Sequence, residues 1–139
     1  MITIVALNEQ HLDKIGIYRI WFGNKFYIGS TTNSYKRMLG HTNAILGAFK
    51  GIGIGKNSIT NIFNHLVANP YINTGFFELL EECSTELDLV DAEHDWLCNF
   101  QGNSNCLNYN FSVHRTMNRV IVRPNGSFTI KQPNNYALV

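Results

Sequence analysis

The 139-residue chain is poor in the features that would settle its class at once. It has three cysteines, Cys83, Cys98 and Cys106, an odd number with no CxxC pair. Neither a disulfide framework nor a thiolate zinc site is indicated. No apolar run approaches the length of a membrane span. The opening stretch "MITIVALNEQHLDK" lacks a basic region followed by a long apolar one. An intracellular, cytoplasmic protein with no membrane partner is therefore expected. Net charge is only +1, which argues against a nonspecific nucleic-acid coat. The low charged fraction of 15% comes with 45% hydrophobic residues, the balance of a globular domain rather than a disordered tail. The length suits one domain over residues 1–139.

What charge there is lies in blocks. Residues 14–56 hold seven basic residues and no acid, and residues 78–95 hold eight acids and no Lys or Arg. After Phe111 stand Arg115, Arg119, Arg123 and Lys131 with no acid at all. The acidic block reads either as a solvated helix face or as a source of catalytic carboxylates. In the second case the basic blocks form a phosphate-facing surface.

Residues 15–22 and 25–30 are β-branched and aromatic around Gly23-Asn24, a two-residue hairpin signal. A helix should begin after Thr32 or Asn33, with an apolar stripe of Tyr35, Met38, Leu39, Ile45, Leu46 and Phe49. The glycine-rich "GIGIGK" ends it. A second helix is expected over 58–68, a third strand in "GFFELLEEC", and a third helix over 86–100, capped by Ser84 or Thr85. "RVIVRPNGSFTIKQ" predicts a second hairpin around Asn125-Gly126. The pattern gives an α+β fold, a small three-stranded antiparallel sheet flanked by helices. "GIGIGKNS" is not a P-loop. Lys50 stands where that motif needs Gly, and Asn57 where it needs Ser or Thr.

A turn at Gly23-Asn24 pairs Phe22 with Lys25, Ile20 with Tyr27 and Tyr18 with Gly29. Alternation then puts Tyr18, Lys25, Tyr27 and Gly29 on one face. Arg37 and His41, four apart, share a helix face, as solvated decoration or as a phosphate and proton site. Glu93 has Leu89, Val90, Trp96 and Leu97 as its helical neighbours. A carboxylate in that stripe calls for a salt bridge, for example to Arg37, or for a hard divalent ion such as Mg²⁺. Asp91 and Asp95 point elsewhere on the helix and His94 packs. Asn108 and Asn110 in "CLNYNF" shape a turn or add an amide ligand.

"GIY" (Gly16 to Tyr18) and "YIG" (Tyr27 to Gly29) in adjacent strands resemble the signature of the GIY-YIG nuclease superfamily. The likeness continues through Arg37-x-x-x-His41, through Glu93 with Trp96, and through the late Asn, best matched by Asn110 with Asn108 second. It spans roughly residues 15–112 and leaves a basic extension at 113–139. The resemblance implies metal-dependent cleavage of DNA phosphodiesters, with RNA left open and one Mg²⁺ or Mn²⁺ per site. It assigns Tyr18 as general base or its relay, Tyr27 and Arg37 to the phosphate, His41 to the proton and Glu93 to the metal. A free phenol, with pKa about 10, needs nearby cations to act as a base, and Lys25, Arg37 and His41 are at hand. Apart from the resemblance, the basic C-terminal hairpin with Arg115, Arg119 and Arg123 either grips substrate backbone or is an edge hairpin that finishes the fold. The rival readings are a silent nucleic-acid-binding module of the same fold and a protein-docking adaptor. Target sequence and oligomeric state stay open.

Overall fold

The structure, a computed structural model, describes residues 2–7, 14–111, 119–122 and 126–131; of 119–122 and 129–131 it describes the backbone alone. The elements run β1 (Thr3–Ala6), β2 (Gly16–Phe22), β3 (Lys25–Thr31), α1 (Ser34–Phe49), α2 (Ser58–Ala68), β4 (Thr74–Glu82) and α3 (Glu86–Phe100). β5 (Arg119–Val122) and β6 (Phe128–Lys131) follow. The class is α+β. None of the described helices is long and apolar enough to cross a membrane.

The main sheet has four strands, not three, in the order β1-β4-β2-β3. β2 pairs antiparallel with both β3 and β4, while β1 lies parallel to β4, with Thr3 opposite Thr74. The expected sheet was one strand short because a parallel partner far along the chain leaves no hairpin signal. The β2–β3 register is as expected: Phe22 faces Lys25 and Tyr18 faces Gly29. Gly23 takes φ +68, which the tight turn requires.

Alternation sorts the side chains into two cores. Tyr18, Ile20 and Phe22 of β2 pack with Phe77 of β4 and with Met38, Ile45 and Ile62 of α1 and α2. Ile17 packs the opposite way, with Phe26 and Ile28, against Leu89, Ala92 and Leu97 of α3. Arg19 lies across Trp21 at 4.4 Å and pairs with Glu78 at 2.6 Å. Trp21 Nε1 donates to the same carboxylate, and Trp96 Nε1 donates to Glu81. Part of the acidic block is thus held in side-chain networks rather than left solvated.

Asn33, Asn57 and Thr85 cap the three long helices, each accepting from a backbone N–H three residues on. The α1 stripe differs from expectation. Tyr35, Leu39 and Phe49 are exposed, and the buried face is Ser34, Met38, His41, Ile45 and Ala48. A polar histidine takes a core position because a buried phenol waits there to bond it. β5 and β6 form the second hairpin, with Val122 opposite Phe128 and Gly126 at φ +86. Arg115 and Arg123 lie outside the described residues, as does the side chain of Arg119.

Candidate active site

The site starts from a glycine. Gly29 faces Tyr18 across the hairpin, and a Cβ on it would fall inside the Tyr18 phenol. The missing side chain is what lets the ring lie flat, stacked on Phe77 at 4.8 Å between centroids. Gly16 has a similar reason, since a Cβ there would strike the Glu81 carbonyl. A bulge sits beside the same residue. Ile17 faces Glu81 while Tyr18 faces Leu79, so Leu80 is an extra residue on β4. Such insertions bend a strand and re-aim its neighbours.

Tyr18 is fully buried. Its hydroxyl receives the Arg37 Nε–H at 3.0 Å and lies 2.5 Å from His41 Nε2. In the tautomer with its proton on Nδ1, His41 accepts the phenol proton. Tyr27 packs 6.2 Å from Tyr18 and 5.1 Å from His41, ring to ring, within reach of the Arg37 charge. Burial drives the Tyr18 pKa well above the ordinary phenol range, reinforced by Tyr27 and only partly opposed by Arg37. Tyr27 is pushed upward by the same cause. Burial, then Arg37, pushes His41 down to about 3, so the imidazole is neutral at physiological pH.

Tyr27, Arg37 and His41 open onto a cavity of about 220 Å³, whose other walls are Gly40, Ala44, Ser58 and Ile59. Tyr18 is not among its walls. The phenol that meets solvent is therefore Tyr27, with Tyr18 behind it. Glu93 on α3 is half-buried and close enough for its charge to act on both phenols. Its bridge to Arg37 is not formed; the ion pairs among the described residues are Lys14–Glu82 and Arg19–Glu78. Leu89 and Leu97 beside it are buried, but Val90 is exposed, so Glu93 stands at the rim of the stripe. Asp91, His94 and Asp95 are the buried polar groups of α3.

Two of the expected residues lie apart from this cluster. Lys25, opposite Phe22, is four strand positions from Tyr18, roughly 13 Å. It lines a separate depression with Asn61, His65 and Leu107. It is too far to help ionise the phenol. Asn108 spends its amide on the edge of β3, accepting from Ile28 N at 2.8 Å and donating to Ile28 O at 2.7 Å. With Phe26 N–Asn105 O and Leu107 N–Phe26 O, it stands in for a missing strand. Asn110 is exposed and has a partner of its own.

Sequence reasoning missed Phe77 under Tyr18 and Ser58 and Ile59 in the cavity wall; nothing local marks them. It also missed a trio at the end of β4, where donor atoms of Glu81, Cys83 and Asp88 lie within 4.8 Å of one another. Burial, then Asp88, pushes the Cys83 thiol up to about 12, so it stays protonated beside the Asp88 carboxylate. Comparison of the chain with family models, curated proteins and solved structures finds no match, so the site is read from its own chemistry.

Proposed function

We propose that the chain is a divalent-metal-dependent endonuclease that hydrolyses phosphodiester bonds, with DNA as substrate ahead of RNA. One observation carries the reading. A solvent-closed phenol is held between a guanidinium and a neutral imidazole, behind a small cavity that Tyr27, Arg37 and His41 line. The resemblance in order and spacing of Gly16 to Tyr18, Tyr27 to Gly29, Arg37, His41 and Glu93 supports it.

The donor set fits a hard cation. Glu93 offers one carboxylate whose charge reaches both phenols, and Mg²⁺ is commonly held by one carboxylate with the rest of its shell water and substrate phosphate. When bound at Glu93, the ion supplies Lewis acidity at the phosphate and offsets charge on the leaving oxygen. Arg37 meets a phosphate oxygen with the guanidinium nitrogens that Tyr18 leaves unused. Tyr27 donates its hydroxyl to the same group. Phosphate beside the pocket adds negative charge near His41, which raises its proton affinity from a low starting point. Tyr18, closed to solvent, does not meet the attacking water: as it gives its proton to His41 Nε2 it takes one from Tyr27, which faces the cavity and takes its own replacement from the water.

Cleavage of supercoiled plasmid with Mg²⁺ or Mn²⁺ tests this. Wild-type nicking that falls at least ~10²-fold in Glu93→Gln and Tyr18→Phe is the expected result. Nicking that persists in EDTA, or in Glu93→Gln, would sink it.

A further inference from the structure

Residues 50–57, "KGIGIGKN", join α1 to α2, and every one of them is exposed. The segment is nonetheless held in shape. Ile52 N donates to Gly47 O at 2.8 Å, Asn57 Nδ2 to Gly53 O at 2.9 Å, and Gly55 N to Thr60 Oγ1 at 2.8 Å. Gly51 and Gly53 both adopt φ +80, a region side chains avoid. This braced loop presents two large apolar side chains to water, Ile52 at 66% and Ile54 at 47% exposure. Lys50 and Lys56 flank them, both exposed.

Charge decides what such a surface meets. Residues 14–77 contain no Asp or Glu, so α1, the loop and α2 present Lys36, Arg37, Lys50 and Lys56 without an acid between them. A stretch that carries bases and no acid suits a polyanion better than a plain apolar partner. The loop also ends at the site, since Ser58 and Ile59, directly after Asn57, line the cavity of Arg37 and His41.

We infer that the loop is a wedge for duplex DNA: Ile52 and Ile54 enter between stacked base pairs while Lys50 and Lys56 hold the phosphates on either side. Apolar side chains used in this way unstack a step and kink the helix. The substrate class this names is a duplex that yields locally, with flexible pyrimidine–purine steps preferred over stiff A-tracts. The inference rests on the nucleic-acid reading above.

The test is fluorescence of a short duplex carrying 2-aminopurine in place of adenine at its TpA steps, bound by the full chain in EDTA. Stacking quenches this base, so a wedge brightens it. The wild type should raise the signal several-fold. The double variant I52S/I54S should bind with the same salt dependence, keep its circular dichroism and lose most of the rise. K50A/K56A should weaken binding and reduce the slope of log affinity against log salt by about 2. An undiminished rise in I52S/I54S would overturn the wedge and leave the nuclease reading intact. No salt-dependent duplex binding by the wild type would overturn the DNA reading itself, and the wedge with it.

Discussion

Gly29 and Tyr18 are one structural unit: the absent side chain of the first is the space occupied by the ring of the second. Gly29→Ala therefore sets a methyl against a fully buried phenol that is itself stacked on Phe77 and cannot retreat. We expect a loss of about 1–3 kcal/mol in urea unfolding, the usual cost of overpacking. Plasmid cleavage should fall further than the folded fraction does, because the displaced ring carries the Arg37 and His41 contacts. Equal losses in both would mean Tyr18 only packs.

Tyr18→Phe keeps that packing and removes one hydroxyl. His41 Nε2 and Arg37 Nε then lose a shared partner, at a stability cost of about 1–3 kcal/mol. Single-turnover cleavage should fall by at least ~10²-fold while duplex affinity changes little, since Tyr27 and Arg37 still face the cavity. A matched fall in affinity would place Tyr18 in binding rather than proton movement.

His41 gives a pH signature whose sign follows from burial. Its pKa is held near 3 when folded, below the 6.5 of an ordinary histidine. The unfolded chain therefore takes up the proton first, and stability is lost as pH falls through 6.5 toward 3. Between pH 6.5 and 5, before most carboxylates titrate, the loss approaches at most about 1.4 kcal/mol per pH unit. Urea unfolding of wild type and His41→Gln across that range isolates it, and the variant should show the shallower slope. Parallel slopes would mean His41 is charged or solvated when folded.

Asn108 and Lys25 separate structure from chemistry. Asn108→Ala leaves the Ile28 N–H and C=O at an unpaired sheet edge. The expected cost is about 1–3 kcal/mol, with faster exchange of the Ile28 amide. Lys25→Ala should leave the cleavage rate constant within about threefold, because Lys25 sits four strand positions, roughly 13 Å of backbone, from the residue opposite Tyr18 and lines a separate depression. A hundredfold loss in Lys25→Ala would show that substrate reaches down the hairpin to the turn.

The hairpin, its register and the shared face of Tyr18 and Tyr27 were legible in the sequence because a two-residue Gly-Asn turn allows only one pairing. α2 was legible from its apolar spacing at Ile59, Ile62 and Leu66, and α3 because Thr85 announces its start. β1 was not, since parallel pairing across some seventy residues has no local mark. The order of burial at the site was hidden for another reason. Alternation tells which face a side chain takes, but not that Phe77 closes over Tyr18 and leaves Tyr27 at the surface. The role of Asn108 depends on Ile28, eighty positions away, and composition says nothing of that. The alternation rule placed Lys25 on the correct face, but it carries no distance along the strand.

The parallel pairing of β1 with β4 sets a schedule for synthesis. Thr3 has no strand to join until Thr74 has left the ribosome. At roughly 5–20 residues per second, that interval lasts about 4–14 s. The β2–β3 hairpin, with both tyrosines and the glycine that separates them, is complete within the first 31 residues and needs no later partner for its turn. Of the four strands, β1 therefore waits for β4, while β2 and β3 pair without either. A stalled or truncated product ending before residue 74 would carry the hairpin with the apolar stretch Ile2 to Ala6 still without its strand.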